Sequence, residues 1–523
     1  MATSSSVEAE QKFDALESTP LPMLDAIDGV GRVGDPVSHT LEATYFDTSR
    51  LSLARHGITL RRRTGGHDAG WHLKLPLGPG KRTEIHAPLG SADTVPVELM
   101  DRVLAYTRAH AVLAVATLHT DRMSYALYGG QGERLADFVD DRVRAHVTVG
   151  DDRRLEWREW EVELAASDGT GDSLLATLTR QLSAAGATPS HRSSKLATAL
   201  GGLGGLGGLG GLGGELPMAG KADRKPGAAK GAGKTRAADA VLSYLQRQLA
   251  GLLLQDAHVR LGRDDSVHQM RAFTRRIRSV LHSYRPLFAP GPVNDLERGL
   301  KSLAETLGRY RDTEVLHERL RVALDELPEN LVLGPLHDEL DQRMMIRADT
   351  ALAAIRTRLT SPGYFRLLDD LEAFIEAPPL TEKGRAPARK TTAKLVNKAV
   401  KRLRKRHDAA VSAAVGQSRD EALHRVRKSA KKLRFAAAAA ESVHGKRAAK
   451  LGKAAHKVQS VLGTHQDSVL ARRELLDLGS APGTASAAFT YGVLHARESA
   501  VSDATERKYL KGSAKTLKLR LKK

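Results

Sequence analysis

The chain has 523 residues, enough for two or three domains that each bury a core. It contains no cysteine, which excludes disulfides, thiolate metal sites and cysteine nucleophiles and favours a reducing cytoplasm. Its net charge of +20 favours a polyanionic partner, whereas an aromatic content of only 4% disfavours base-stacking platforms for nucleic acid.

The first 200 residues contain eight short segments in which charged and apolar residues alternate. In chain order they are VEAEQKF, ATYFDT, ITLRRRT, GWHLKLP, RTEIHAPL, DRMSYALY, RLADFVDD and REWEVEL, with Gly, Asp and Pro between them. Such alternation predicts antiparallel strands. Helical periodicity predicts helices around residues 97–110 and 173–185. Residues 1–200 are therefore predicted to form an antiparallel sheet or barrel with flanking helices.

In each predicted strand the charged residues share one face, as Glu161 and Glu163 do. An ordinary barrel would turn this face to water and fill its interior with the apolar face, and this alternative stays open. The makeup of the charged face favours a function instead, because carboxylates lie on the first and last strands and arginine or lysine on those between. Cations of this kind bind phosphate oxygens, and carboxylates bind Mg²⁺ or Mn²⁺ ions that bridge to phosphates.

The order of these motifs resembles the CYTH, or triphosphate tunnel metalloenzyme, family over about residues 5–200. In order, the motifs are Glu-x-Glu-x-Lys in VEAEQK, Arg-x-Arg in LRRR, Lys74, Arg-x-Glu in RTE, Arg122, Glu-x-Glu in EVE, and Ser194 followed by Lys195. The resemblance implies an eight-stranded antiparallel tunnel that binds triphosphates with a divalent metal. Members of the family hydrolyse inorganic triphosphate or thiamine triphosphate, cap RNA, or cyclise ATP.

The resemblance also implies roles for individual residues. The implied phosphate ligands are Arg61, Arg63, Lys74, Arg82, Arg122 and Lys195. The implied metal ligands or water-orienting groups are Glu8, Glu10, Asp141, Glu161 and Glu163. Lys12 is expected to bind a phosphate or to help activate the water, with Glu8 and Glu10 beside it in the catalytic set.

A low-complexity segment separates this part from the rest. GGLGGLGGLGGLGG and the Lys, Ala and Gly that follow predict a flexible linker over residues 201–236. Residues 1–214 contain 22 Lys and Arg against 27 Asp and Glu, and residues 215–523 contain 59 against 34. The basic excess therefore belongs to the second part, which is expected to bind the polyanion. Since there is neither a secretion-signal pattern nor a long apolar stretch, we expect a soluble cytoplasmic protein without a membrane partner.

Residues 237–523 have helical periodicity almost throughout and contain a repeated pattern. HQMRAFTRRIR begins at His268 and HRVRKSAKKLR begins at His424, with basic residues at the same offsets. Leu-Gly-x-x-x-Asp follows each stretch and ends 44 residues after the first His, at Asp312, and 43 after the second, at Asp467. This spacing predicts an internal duplication with units of about 240–380 and 390–523.

The repeated cations could simply form solvent-exposed helix faces. Two features favour an anion site: a histidine begins the face in both copies, and acidic residues four positions away, which would form ion pairs, are missing. The candidate polyphosphate ligands are His268, Arg271, Arg275, Arg276, Arg278, Arg309, Arg311, His424, Arg427, Lys428, Lys431, Lys432 and Arg434.

This half resembles the CHAD domain, a conserved-histidine helical domain, and the resemblance implies a helical bundle with a basic groove that associates with inorganic polyphosphate. The predicted fold class is thus α+β multidomain, with an N-terminal tunnel and a C-terminal duplicated helical bundle. The predicted function is metal-dependent hydrolysis of inorganic triphosphate, coupled to polyphosphate binding. Alternatives are a non-catalytic or granule-associated polyphosphate-binding protein, an adenylate cyclase, a thiamine triphosphatase, and a protein with nucleic acid as its partner.

Overall fold

The computed structural model describes residues 4–66, 68–78, 81–90, 94–165, 172–190, 192, 194–201, 235–480 and 487–521. Side chains are described over the same ranges, except those of residues 4–9, 77–78, 81–82, 172–173 and 513–516. The predicted linker therefore lies almost entirely outside the described residues. The chain divides into two compact units, residues 1–222 and 223–523.

The first unit is an antiparallel barrel, as predicted. Its eight long strands are β1 Ser4–Ala15, β3 Val37–Thr48, β4 Thr59–Thr64, β5 Gly70–Gly78, β6 Lys81–Ala87, β7 Val112–Tyr128, β8 Arg134–Val147 and β9 Arg153–Leu164. Two-residue strands β2, Arg32–Val33, and β10, Thr188–Pro189, attach to β7 and β1. The neighbour order is β1-β6-β5-β4-β3-β7-β8-β9, and β9 pairs with β1 again. The eight long strands thus close on themselves and leave no free edge.

The helices of this unit are α1 Ser52–Arg55, α2 Val97–Thr107, α3 Asp172–Ala184 and α4 Lys195–Leu200. The apolar face of β1, β8 and β9 packs against α3, which buries Phe13, Phe138 and Trp160 completely. Because side chains alternate along a strand, the opposite, charged face of these strands points into the barrel. The charged interior predicted from the sequence is therefore confirmed for the described strands.

Helix α4 fills one end of the barrel interior. Leu196, Ala199 and Leu200 are buried against Tyr45 of β3 and Val143 of β8. The Ser194 hydroxyl caps the helix by accepting a hydrogen bond from the Ala197 amide at 3.1 Å. The first residue of the helix, Lys195, is thereby fixed next to the charged section of the interior.

The second unit is all-helical, as predicted. Its helices are α5 Ala237–Arg260, α6 Ser266–Tyr284, α7 Pro290–Asp325, α8 Leu336–Leu359, α9 Pro362–Glu376, α10 Glu382–Arg385, α11 Ala388–Val411, α12 Gln417–Ala439, α13 Glu441–His444, α14 Lys446–Gly479 and α15 Ala488–Lys518. None of the helices within the described ranges is long and apolar enough to cross a lipid bilayer.

The long helices of the second unit form two sets that pack in the same order. Helices α5, α6, α7 and α8 pack in sequence, and so do α11, α12, α14 and α15, while α6 and α12 join the two sets. The repeated glycines have the same surroundings: a Cβ at Gly308 would lie 3.5 Å from the Arg271 guanidinium, and one at Gly463 would lie 3.8 Å from that of Arg427. Both distances are ordinary van der Waals contacts, so in each repeat an arginine of α6 or α12 packs beside the glycine of the long helix, α7 or α14.

Candidate functional site

Three buried carboxylates meet inside the barrel. Asp141 of β8 is the register partner of Glu159 of β9, and Glu161 is two residues further along the same face. One oxygen from each side chain lies within 4.8 Å of the other two. Asp141 and Glu161 were predicted ligands, whereas Glu159 was missed. The alternation that placed Glu161 inside could have found it, because Glu159 has the same parity.

The ammonium group of Lys195 lies among these three carboxylates. Its Nζ atom is 2.8 Å from Asp141 Oδ2, 2.8 Å from Glu159 Oε1 and 2.8 Å from Glu161 Oε1. Burial favours the neutral form of each partner, but their mutual attraction is stronger, so the pKa of Lys195 is raised and that of Asp141 is lowered. The Lys195 ammonium also lowers the pKa of Glu159, so Lys195, Asp141 and Glu159 are ionised at neutral pH.

Two further cations, Arg122 and Lys12, form ion pairs with the acidic cluster. Arg122 binds Asp141 through two hydrogen bonds of 2.8 and 2.7 Å and reaches Glu161 Oε2 at 3.0 Å. Lys12 Nζ contacts Glu161 and lies 3.5 Å from Glu10 Oε2. Burial, together with the nearby Lys195 ammonium, lowers the pKa of Lys12 to about 8. Lys12 can thus exchange a proton close to neutral pH, as a general acid or base must.

A second group of cations lines the barrel on β4 and β5. Arg61 lies 3.3 Å from the Tyr45 hydroxyl and 4.0 Å from Glu84 Oε1. Lys74 Nζ lies 3.6 Å from Glu84 Oε2. Burial and the adjacent Arg61 and Arg122 lower the pKa of Arg63, which also contacts Asp68. Positive charge is therefore concentrated on this wall, as phosphate binding requires.

His72 helps to position this wall. Its Nδ1 atom is 2.8 Å from Glu84 Oε1, and its Nε2 atom is 2.8 Å from the Asp68 carbonyl oxygen. Neither His72 nor Glu84 was in the predicted ligand set, although Glu84 lies in the RTE motif. The predicted ligands Lys12, Arg61, Arg63, Lys74 and Arg122 do lie in the barrel interior, and their functional roles stay predictions.

The remaining predicted residues are placed differently. Glu10 of β1 is the register partner of Glu163 of β9. Glu163 lies two residues after Glu161 on the same face of the strand, and its side chain is exposed. Lys195 lies with the carboxylates and not with the cations of β4 and β5. The side chains of Glu8 and Arg82 lie outside the described residues, although their backbones are register partners.

We expect acid to destabilise the barrel through His72. Burial lowers the pKa of His72 to about 4 despite its hydrogen bond to Glu84, so the unfolded chain binds the proton more tightly. The His72 contribution to stability is therefore present above pH 6.5 and is lost as the pH falls towards 4. The slope is about 1.4 kcal/mol per pH unit, or about 2 kcal/mol between pH 6.5 and 5.

The measurement is the melting temperature of the barrel at pH 7 and pH 5 for the parent chain and for His72→Gln. The parent should lose more stability than the variant. The matched control is His119→Gln, because His119 lies exposed on β7. An identical acid shift in His72→Gln and the parent would contradict the prediction.

A pocket of about 1070 Å³ lies among the described residues of the helical unit. Seven of the predicted ligands line it: His268, Arg271, Arg275, Arg309, Arg311, His424 and Arg427. Arg319, Arg347, Arg473 and Gln466 also line it and were missed. The three arginines lie on α7, α8 and α14, outside the repeated motifs that guided the prediction, whereas Gln466 occupies one of the variable positions of Leu-Gly-x-x-x-Asp on α14.

The two repeats contribute equivalent groups to this pocket. Arg271 forms an ion pair with Asp312 at 3.0 Å, and Arg427 lies close to Asp467, its counterpart in the second repeat. Burial and the neighbouring Arg271 and Arg427 lower the pKa of Arg275 to about 10. Carboxylates therefore balance only part of the charge, and the pocket favours an anion.

The other six predicted ligands lie elsewhere in the described part of this unit. They are Arg276, Arg278, Lys428, Lys431, Lys432 and Arg434. Arg276 and Arg434 donate to Gln248 and Gln459 at 3.4 and 3.5 Å. Lys432 Nζ is 3.2 Å from His282 Nε2 and close to Arg278 and Lys428. The cations predicted to share one helix face are thus divided. Some line the pocket, and others lie beside Gln248 and Gln459 or beside His282.

Comparison with known proteins identifies both units. A CYTH domain model matches residues 31–188, and a CHAD domain model matches residues 243–476. The uncharacterized protein Rv2226 of Mycobacterium tuberculosis is 41% identical over 512 residues, which is 95% of this chain and 94% of that protein. The chain belongs to the CYTH–CHAD family. CYTH domains are triphosphate tunnel metalloenzymes, whose chemistry is generally phosphoryl transfer or hydrolysis.

Two solved structures are also similar. PptA from Streptomyces chartreusis is 20% identical with a TM-score of 0.45, covering 53% of this chain and 99% of its own. The CHAD domain of the plant Ricinus communis is 25% identical with a TM-score of 0.45, covering 58% of this chain and 99% of its own. The matched CYTH segment begins after β1 and ends before α4, so Lys12 and Lys195 lie outside it.

The acidic cluster of the CYTH domain fits a divalent metal. Asp141, Glu159 and Glu161 offer only oxygen ligands, which hard cations such as Mg²⁺ and Mn²⁺ prefer. The Lys195 ammonium contacts oxygens of the same three side chains, so a metal and Lys195 would compete for them.

This competition leads to a prediction for Lys195→Met. Removing the ammonium leaves buried carboxylates without their main counter-ion, which typically costs about 3–5 kcal/mol. We expect a lower melting temperature of the CYTH domain, and we expect added Mg²⁺ or Mn²⁺ to raise it more in the variant than in the parent. Arg192→Met is the control, because Arg192 is exposed three residues before Lys195. Equal metal shifts in the parent and Lys195→Met would disprove the competition.

Proposed function

We propose that the CYTH domain hydrolyses inorganic triphosphate with Mg²⁺ or Mn²⁺ and that the CHAD domain binds inorganic polyphosphate. One observation carries the first part: three buried carboxylates and a group of cations share the interior of one closed barrel. A substrate with several adjacent phosphates can contact both groups at once. Neutral or singly charged substrates would gain little from such a lining.

Different residues bind the substrate, hold the metal and transfer the proton in this reaction. Arg61, Arg63 and Lys74 bind and orient the phosphate oxygens, and Arg122 holds Asp141 in place. Asp141, Glu159 and Glu161 would hold the metal, which supplies charge neutralisation and a more acidic water. Lys12, with its pKa near 8, exchanges a proton with the water or the leaving phosphate.

The lining supports inorganic triphosphate over ATP. Tyr45, an aromatic residue in contact with Arg61, is only 2% exposed because it packs among the apolar residues around α4. It therefore offers no free face on which a base could stack. We expect turnover of ATP and of thiamine triphosphate to be slower than that of inorganic triphosphate.

Polyphosphate binding is supported by the pocket of the CHAD domain. Arg271, Arg275 and Arg427 lie close together from two repeats, and burial raises the cost of leaving them without an anion. A linear phosphate chain presents the regular charge that such a cluster binds. In cells, the protein would act in the cytoplasm in association with polyphosphate granules.

One observation favours a second function for the CYTH domain. Lys195 already forms ion pairs with all three carboxylates, as expected of a barrel that binds phosphate chains without hydrolysing them. The competing function is therefore a non-catalytic phosphate-binding protein.

The deciding experiment measures phosphate release by the full chain from inorganic triphosphate, ATP and thiamine triphosphate, with Mg²⁺, Mn²⁺ or a chelator. Metal-dependent release that is fastest from inorganic triphosphate supports the proposal. Equal rates on ATP, or cyclic AMP formation, would replace it with a nucleotidase or a cyclase. No release with any metal would leave the non-catalytic function.

A separate experiment tests the CHAD domain. Bound polyphosphate should resist displacement by duplex DNA at equal phosphate concentration. Ready displacement by DNA would refute the polyphosphate assignment and favour nucleic acid as the partner.

A further inference from the structure

The CHAD pocket has two chemically different walls. The cationic wall comprises His268, Arg271, Arg275, His424 and Arg427 of α6 and α12. The apolar wall comprises Val315, Leu316, Ile346, Ala351, Ala354 and Leu470 of α7, α8 and α14. The helices of the apolar wall also bring five arginines to the pocket, so phosphates have ligands on both sides, whereas the apolar patch between those arginines offers a phosphate chain no partner; the arginines are Arg309, Arg311, Arg319, Arg347 and Arg473.

The apolar wall is partly open to solvent. Ile346 is 57% exposed and Leu470 is 45% exposed, on different helices that face the same pocket. Apolar surface left in water gains free energy when a ligand covers it, about 25 cal/mol for each Å² buried. Such a wall beside fixed polar groups is typical of sites for organic molecules.

We propose that this pocket binds nucleoside polyphosphates, with the phosphates on the cationic wall and the nucleoside on the apolar wall. The inference rests on the proposed phosphate-binding function of the CHAD domain and extends it to organic phosphates. A volume of about 1070 Å³ lies at the upper limit of ordinary small-molecule sites, about 300–1,000 Å³. One nucleotide therefore fits with its whole phosphate chain.

Polar groups on the apolar side favour a nucleoside over an acyl chain. Thr350 lies beside Ala351 on α8, and Gln466 and Asp477 flank Leu470 on α14, all lining the pocket. These groups can form hydrogen bonds to the edges of a base or to ribose hydroxyls. An acyl chain offers them no partner. Arg347 and Glu474 form an ion pair across α8 and α14 and so hold the two helices together at this wall.

Shared use of the cationic wall has a consequence for regulation. Nucleoside polyphosphates and inorganic polyphosphate would exclude each other, because both need Arg271, Arg275 and Arg427. The amount of polyphosphate that the chain retains would then fall as the nucleotide concentration rises.

The first test locates the nucleotide. An ATP analogue with a photoreactive azide on the adenine is cross-linked to the full chain in the presence of a chelator, and labelled peptides are identified by mass spectrometry. Label is expected in α8 or α14, and polyphosphate should suppress it. Label confined to the CYTH domain, or label in the CHAD domain that polyphosphate does not reduce, would overturn the inference.

The second test separates the two walls. Ile346→Asn with Leu470→Asn should weaken ATP competition against fluorescent polyphosphate about tenfold, while polyphosphate affinity itself stays within about twofold. Met345→Asn is the control, because Met345 is 59% exposed next to Ile346 but does not line the pocket. An equal loss in the control would overturn the inference.

The outcomes also separate this inference from the function it rests on. If polyphosphate binds and ATP does not displace it, the nucleoside inference fails and polyphosphate binding stands. If polyphosphate does not bind at all, the proposed function of the CHAD domain fails. If lysophosphatidic acid displaces polyphosphate better than ATP does, the apolar wall binds an acyl chain and the nucleoside inference is wrong.

Discussion

Replacing Glu159 and Glu161 together by glutamine is expected to reduce the rate of triphosphate hydrolysis by about a thousandfold or more. Both side chains keep their shape but lose the charge that would hold a divalent metal, and such a metal would contribute several kcal/mol to the transition state. The affinity for triphosphate should not fall, because two negative charges leave the barrel interior. We therefore expect kcat to fall while KM stays constant or decreases.

Phosphate release and Mn²⁺ binding by calorimetry measure this effect. The matched control is Glu156→Gln, because Glu156 is exposed on the same strand, β9, and should change neither measurement. Polyphosphate binding by the CHAD domain should also be unaltered. If the double variant kept a third or more of the parent rate, these carboxylates would not be the metal ligands of the reaction.

Replacing Arg271 and Arg427 together by glutamine is expected to weaken polyphosphate binding about a hundredfold. Removing each guanidinium removes a charge-assisted contact worth about 1.5–3 kcal/mol. The affinity for polyphosphate should therefore fall about tenfold or more for each arginine replaced. Fewer counter-ions are then released on binding. The slope of log affinity against log salt should therefore decrease by about 1.4, since each lost contact on a single strand contributes about 0.7.

Titration of labelled polyphosphate at several salt concentrations provides both numbers. Lys301→Gln with Arg366→Gln removes the same charge from exposed positions of α7 and α9 and is the matched control. Triphosphate turnover by the CYTH domain should not change in either double variant. A control that weakened binding as much as Arg271→Gln with Arg427→Gln would mean that net charge, and not the pocket, binds the polymer.

Much of the fold could be predicted from single segments, because local periodicity reports which residues share a face. Arg61 and Arg63 share a face of one strand wherever that strand lies, and the excess of charge on such faces indicated a charged interior. His268 and His424 begin matching patterns, so the duplicated helices could be predicted without knowing how they pack. The same reasoning could have predicted that Glu159 points into the barrel.

The grouping of the site residues depended on the tertiary structure. Lys195 lies 34 residues after Glu161, on another element, and reaches the carboxylates because the apolar side of α4 fills one end of the barrel. No periodicity relates the two positions. A strand pattern therefore could not show that Lys195 lies with the carboxylates and not with the cations of β4 and β5.

The residues of the CHAD pocket also include some that a sequence pattern could predict and others that only the tertiary structure groups together. The cations of α6 and α12 are visible as repeats, but the apolar residues Ile346 and Leu470 resemble ordinary helix positions in the sequence. Only the packing of α8 and α14 beside α6 and α12 brings them to one cavity. Chemistry that lies along one element can be read from the order of its residues, whereas chemistry assembled between elements depends on which faces pack together, and long-range burial decides that.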